Sequence, residues 1–243
     1  MSTLDVNTTL ASVVHAHPGV VRELERWGFD YCCHGDQSIA DACRAADLDP
    51  ATVLADLAAA RTRTVEAWAA LAPAEMVDHI ETVHHRYLRD ELPRLGVLAD
   101  KVVAVHGAHH PELALVAESF AVVRADLEPH LLKEEQVLFP MIRTLSAATS
   151  PPLFHCGRIT NPISMMMLEH EHTGELLAQL RAATDGYRTP EDGCTSYRAL
   201  YDGFAQLEAD THLHIYKENN VLFPAVAQLE RQLLDDLDAS ARR

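Results

Sequence analysis

The sequence predicts an all-α protein, a small N-terminal helical domain followed by an antiparallel four-helix bundle. Four long segments, 76–92, 112–145, 163–184 and 197–237, repeat their apolar residues at three- and four-residue spacing. No stretch alternates apolar and polar residues as a half-buried strand does. The breaks lie between the long segments, at Gly96 and from Gly107 to Pro111, from Ser150 to Pro162, and from Asp185 to Gly193. Pro93, Pro129, Pro140 and Pro224 predict kinks or helix ends inside these patterns.

Ahead of the bundle the helices are short. TLASVVHAH stops before Pro18-Gly19, and GVVRELERW stops at Gly28. Asp36 or Ser38 can cap SIADACRAAD, and Asp49 can cap PATVLADLAAA with Pro50 at the first helical position. Between these pairs lies a turn-like FDYCCHGD, carrying the adjacent Cys32 and Cys33. The expected division is residues 1–62 for the N-terminal domain, 63–73 for a linker and 74–243 for the bundle.

Composition narrows the chemistry. With 48% apolar and 23% charged residues among 243, the chain has ample core and is not disordered. A formal charge of −16 argues against nucleic acid or an anionic membrane as partner. No apolar run reaches the roughly 20 residues that span a bilayer, and MSTLDVNTTL lacks the basic and apolar regions of a secretory signal, so the cytoplasm is the expected compartment. Five scattered cysteines do not make a disulfide framework. The anomalous count is histidine, with 15 residues against six Phe and six Tyr.

An internal repeat organises those histidines. HLLKEEQVLFPMI from His130 matches HIYKENNVLFPAV from His214 at His, Lys, Glu, Val, Leu, Phe and Pro in the same order. Nearly the same offset, 85 or 86 residues against 84, relates His170 to the His84-His85 pair, so each half of the bundle reads His, then His-x-x-x-Glu. His130 with Glu134, and His214 with Glu218, stand four apart on a helix and share a face. Imidazole and carboxylate suit Fe, Mn or Zn, and no cysteine falls within either motif to suggest a thiolate site. If both glutamates bridge, a helical bundle can hold two ions. The Val-Leu-Phe that follows each motif implies a buried face, where unpartnered carboxylates cost several kcal/mol, on the order of those for other buried polar groups. Asp126 and Asp210, four residues before His130 and His214, are placed to accept a hydrogen bond from a ligand imidazole.

These motifs resemble the RIC (repair of iron centres) family, cytosolic bacterial proteins with a hemerythrin-like di-iron bundle. The resemblance rests on DYCCHG followed by SIADACRAADLD, on the two LFP segments, on NPIS before EHE and on the DH...LP frame of the first bundle helix, and it covers essentially the whole chain. It implies two non-haem iron ions held by His85, His130, His170 and His214 with Glu134 and Glu218 bridging. A helical wheel places His84 nearer the apolar stripe of Met76, Val77, Ile80, Tyr87 and Leu88, whereas the family frame selects His85, leaving His84 beside the ligands. Glu169 occupies the position of an acidic residue that the family places near the site. His172 and His212, two residues from proposed ligands, should point away; His79, His106, His109, His110 and His155 read as surface or structural histidines.

The resemblance further implies repair of iron–sulfur clusters damaged by nitric oxide or oxidants. The iron centre would act as an iron source or as the element that removes nitric oxide. Damaged iron–sulfur proteins are the implied partners. A nitric oxide reductase or peroxidase, and a diatomic-gas sensor, are the competing classes. Four symmetric histidines disfavour dioxygen carriage, which in hemerythrins uses five. Cys32 and Cys33 carry either no role beyond a reduced turn or a redox or iron-transfer role, with His34 placed to lower a thiol pKa. Cys43 is expected to pack, and Cys156 and Cys194 have no assigned role. The oligomeric state is left open, with a homodimer as the one assembly considered.

Overall fold

The computed structural model describes residues 4–60 and 68–241. Of the linker expected at 63–73, residues 63–67 lie outside the described residues. Among these there is no β-strand, only the isolated bridges Thr9–Ser38 and Phe154–Gly157.

The first four helices are α1 (Leu10–Ala16), α2 (Val21–Trp27), α3 (Ile39–Ala45) and α4 (Pro50–Ala60). Their ends follow the local chemistry. Thr9 caps α1 through Ser12 N–H, and Ser38, rather than Asp36, caps α3 through Asp41 N–H. Gly28, at φ 69°, ends α2 in the left-handed region that costs glycine least. Asp49 accepts from Thr52 N–H at the start of α4.

Four long helices follow: α5 over 73–106, α6 over 113–146, α7 (Thr160–Ala183) and α8 over 195–241. They are joined by the connections 107–112, 147–159 and 184–194. Helix α5 packs on α6 and α8, and α7 on α6 and α8, which closes the bundle. Gly96 does not break the chain as expected; it stands inside α5, because the flanking Leu92, Leu95 and Ala99 keep a continuous buried stripe. Pro93 and Pro129 likewise lie within helices rather than at their ends.

Three of the long helices change pitch. Residues Glu81–His85 of α5, Glu134–Leu138 of α6 and Glu218–Leu222 of α8 form π turns, closed by bonds from Arg86, Phe139 and Phe223 N–H to the carbonyl five residues back. In α6 and α8 a proline follows at once, Pro140 and Pro224, and its missing N–H and bulky ring disfavour the regular pattern there. The wider turn lets two consecutive residues face inward. His84 with His85, Leu138 with Phe139, and Leu222 with Phe223 are all buried.

The apolar core falls into two parts. One, containing Leu88, Leu131, Leu177, Phe120, Phe204 and Leu207, fills the distal half of the bundle. The other joins the near half, with Ile80, Leu138, Phe139, Tyr216 and Phe223, to Leu10, Leu24, Tyr31, Ile39 and Leu57 of the N-terminal helices in one continuous cluster. In the loop bearing the cysteines Gly35 is closely enclosed, by the N-terminal helices and by Asn220 of the bundle, whose Oδ1 would lie 3.1 Å from a Cβ there. A Cβ there would lie 2.7 Å from Tyr31 O and 2.8 Å from the Cβ of Ala11. Gly35→Ala is expected to destabilise the protein by about 1–3 kcal/mol through overpacking against backbone; an unchanged denaturant midpoint would show that the loop yields freely.

Candidate metal centre

A polar layer separates the two apolar clusters. It contains His85 from the π turn of α5, His130 and Glu134 from α6, His170 from α7, and His214 and Glu218 from α8, none more than 2% exposed. The side chains make two four-residue groups, His85, Glu134, His214, Glu218 and His130, Glu134, His170, Glu218, in which the ligand atoms all lie within 4.8 Å of one another. Both glutamates belong to both groups. The i, i+4 pairs read from the repeat thus converge with one histidine from each remaining helix.

The spacing within each group is that of donors around a common ion. The Nε2 atoms of His85 and His214 are 3.3 Å apart, and those of His130 and His170 3.2 Å. Two nitrogens each roughly 2.1 Å from one cation lie about 3.0–3.4 Å apart. The carboxylate oxygens approach the imidazoles at 3.1 Å (His170–Glu218), 3.2 Å (His130–Glu134) and 3.3 Å (His85–Glu134 and His214–Glu218). Yet all four oxygens of Glu134 and Glu218 lack a partner with hydrogen-bond geometry. Buried carboxylates are ordinarily satisfied. Two adjacent ones with every oxygen unbonded, ringed by imidazole nitrogens and without a sulfur ligand, fit non-haem iron.

Without a cation the charges must satisfy one another. Burial opposes ionisation of Glu134 and Glu218, but the surrounding imidazoles outweigh it and hold both below the ordinary carboxylate range. Burial likewise opposes protonation of the histidines, and the glutamates outweigh it, raising His85 and His130 and pushing His170 up to about 10.

The outward-facing ring nitrogens find partners that spacing alone did not reveal. His85 Nδ1 bonds Glu135 at 2.7 Å, His170 Nδ1 bonds Asn219 Oδ1 at 2.8 Å, and His130 Nδ1 bonds Glu169 at 2.9 Å. Glu135 and Asn219 are the same position in the two copies of the repeat, the residue after each shared glutamate, and that equivalence was the available signal. His214 Nδ1 has no hydrogen bond. His84, the counterpart of Glu169, instead stacks on His214 with ring centroids 5.5 Å apart.

Asp126 and Asp210 do not accept from the ligand imidazoles as the spacing suggested. One helical turn back, Asp126 reaches across to the buried Thr173 hydroxyl at 2.7 Å, and Asp210 takes His84 Nδ1 at 2.9 Å. His84 lies outside both ligand groups. Lys217 Nζ donates to its Nε2 at 2.7 Å, so both ring nitrogens are engaged. Burial, reinforced by the charges of His214 and Lys217, holds its pKa far below the ordinary value, so it is neutral. The buried Lys217, which also contacts His79 Nε2 at 2.8 Å and the Trp68 ring, was not singled out in the sequence. His172 is exposed, and His212 turns to Glu25 of α2 at 3.0 Å.

The cysteine loop lies against the same layer. Cys33 Sγ is 3.7 Å from the His170 carbonyl, and the Asn219 and Asn220 side-chain amides donate to Cys32 O at 3.4 and 3.1 Å. Asn219 therefore holds both His170 and the loop. Its partner thiol Cys32 is the main influence lowering the Cys33 pKa, with the charges of His170 and His212 contributing, whereas His34, expected to do so, is bonded to Asp30 at 2.6 Å. Cys43 packs in the core.

Residues 76–226 match the hemerythrin HHE cation-binding domain, and residues 6–61 match ScdA_N, a domain of unknown function (DUF542). The iron–sulfur cluster repair protein YtfE of Enterobacter sp. (strain 638) is 34% identical over 216 residues, 88% of this chain and 94% of its own length. Those of Citrobacter koseri and Escherichia coli (strain UMN026) are 34% identical over 200 residues, 82% of this chain and 87% of theirs. The chain belongs to the RIC family of hemerythrin-domain proteins. In this RIC protein no described helix is long and apolar enough to cross a membrane.

The charge pattern of the layer has a measurable consequence. Groups raised in the folded chain, as His85, His130 and His170 are, stabilise it fully below their unfolded value of about 6.5, and that contribution is lost as pH rises through the folded values, about 10 for His170. The denaturation midpoint of the metal-free RIC protein is expected to fall between pH 6.5 and 10, and to fall less in His170→Gln. Equal pH dependence in the two would show that His170 is not paired as described.

Proposed function

We propose that this protein repairs damaged iron–sulfur clusters, holding two iron ions between His85, His130, Glu134, His170, His214 and Glu218 and yielding iron to cluster proteins. The observation that carries the reading is the pair of groups sharing two buried glutamates whose oxygens, ringed by imidazoles, have no hydrogen-bond partner. Both the HHE domain and the name of the YtfE relatives agree with it.

Bound there, iron would supply a releasable ferrous ion and one-electron chemistry toward nitric oxide. The chain's own residues set the terms of release. Each group offers two imidazoles and two shared carboxylates but no thiolate, a donor set softer than a carboxylate cage and less retentive than a sulfur one. Because Glu134 and Glu218 belong to both groups, a shift of either carboxylate would alter both ligand sets at once. Glu135 and Glu169 fix the rings of His85 and His130 and increase their basicity, whereas His170 has only the neutral Asn219 and His214 no such bond. Phe139 and Phe223 stack on His85 and His170, at 5.3 and 6.0 Å between centroids, and keep water from that side. With His84 engaged on both nitrogens and His172 exposed, the histidine set is four, which supports repair over dioxygen carriage.

Mössbauer spectroscopy of anaerobically purified protein should show two antiferromagnetically coupled irons per chain that pass to a cluster-free apo-protein. A single ion, zinc, or iron retained while nitric oxide is reduced would overturn the proposal. Glu134→Ala and Glu218→Ala should each abolish the coupled pair. Glu135→Gln and Glu169→Gln should weaken metal binding about 10- to 100-fold, while Asp126→Asn, whose carboxylate serves Thr173, should leave the metal affinity measured by chelator competition unchanged.

A further inference from the structure

We propose that Asp30, Cys32 and Cys33 form a second cation site, separate from the bundle centre, that takes a divalent ion of the Fe2+ or Zn2+ class through two thiolates and one carboxylate oxygen. The donor atoms of the three residues lie within 4.8 Å of one another. The Sγ atoms of Cys32 and Cys33 are 3.7 Å apart. A disulfide requires about 2.05 Å, whereas two thiolates each about 2.3 Å from one tetrahedral ion stand roughly 3.8 Å apart. Asp30 Oδ1 lies 3.3 Å from Cys32 Sγ, near the roughly 3.5 Å that a carboxylate oxygen and a thiolate keep on the same ion.

The loop is built to hold this arrangement. Asp30 Oδ1 accepts Cys33 N–H at 2.9 Å, and the other oxygen is fixed by His34 Nδ1 at 2.6 Å, the kind of outer contact that orients a metal ligand. From the opposite side Asn219 and Asn220 grip the Cys32 carbonyl. Adjacent cysteines that would point apart in a regular strand thus present both sulfurs together.

Three protein ligands leave a fourth position, and the site opens into a cavity of about 300 Å³ between the N-terminal helices and α7. Glu171 and Glu175 line it and favour cations. Arg181, also in its wall, is committed to Glu208 at 2.6 Å. Binding displaces the two thiol protons to solvent, so two thiolates and one carboxylate meet a +2 ion for a net −1, with His34 alongside. No residue is shared with the bundle groups, and the assignment does not depend on the repair reading.

Cobalt(II) tests it. Full-length, iron-loaded protein with reduced thiols should bind Co2+ with a thiolate-to-metal charge-transfer band in the near ultraviolet and tetrahedral absorption in the visible. The bundle centre has no sulfur ligand and cannot produce that band. Cys32→Ser and Cys33→Ser should each abolish it while the antiferromagnetically coupled iron pair of the bundle, read by Mössbauer spectroscopy, stays at the wild-type level, which also reports correct folding, and Asp30→Ala should weaken Co2+ binding at least tenfold. Absence of the band in the wild type, or its persistence in Cys32→Ser/Cys33→Ser, would overturn the site.

Discussion

Two carboxylates buried side by side in an apolar bundle repel one another and forgo water, a cost of several kcal/mol for each unless a cation or donor meets them, in line with other buried charges. Glu134 and Glu218 are in that position, and much of the structure can be read as the means of keeping them there. Four helices each bring an imidazole to the pair. Apolar clusters seal the layer above and below, and the outward-facing ring nitrogens of His85, His130 and His170 are taken up by Glu135, Glu169 and Asn219, while that of His214 is not hydrogen-bonded. A bundle with the same apolar stripes and no ion would have little reason to accept this layer.

The repeat explains the near-symmetry of the ligands, and its divergence explains why their surroundings differ. Where one copy has Glu135 the other has Asn219, and where one half has Glu169 the other has His84. The group with His130 and His170 therefore meets one charged and one amide partner. In the group with His85 and His214, by contrast, one ring is fixed by a carboxylate and the other only stacked on a neutral histidine backed by Lys217. Two chemically equal candidate ligand sets thus sit in unequal fields, so that an ion in one would not be held as an ion in the other.

The fold class, the four long helices and the convergence of His130, Glu134, His214 and Glu218 were legible because each depends on periodicity within one helix. The choice between His84 and His85 was not legible in periodicity, since a wheel assumes a regular pitch and the π turn at Glu81–His85 buries both residues; it was the family frame that selected His85. Asp126 and Asp210 were misread for a related reason. Spacing along a helix says which residues share a face, but a ring nitrogen directed across an interface is satisfied by the neighbouring helix, as His130 is by Glu169 of α7. Gly96 failed as a break because tertiary burial of its neighbours outweighs glycine's weak preference against helix.

Contact between the two ends of the chain is the feature least visible in sequence, and it ties the N-terminal helices to the metal layer. Asn219 accepts the ring N–H of His170 through its oxygen and donates to the Cys32 carbonyl through its nitrogen, so one amide fixes both a bundle imidazole and the cysteine loop. An amide can serve both only in one orientation, with the loop seated. Were the loop to lift, the amide would lose its acceptor on one side and its hold on His170 would loosen. Tyr216 O–H to Ala11 O at 2.8 Å and His212 to Glu25 at 3.0 Å add two further ties from the same helix, α8, on residues flanking His214. Because Tyr216 and His212 stand two residues from His214 and Asn219 bonds the His170 ring, displacement of the N-terminal helices would disturb the residues around both imidazoles, and the apolar cluster they share with the bundle makes such displacement costly unless a partner replaces the lost contacts.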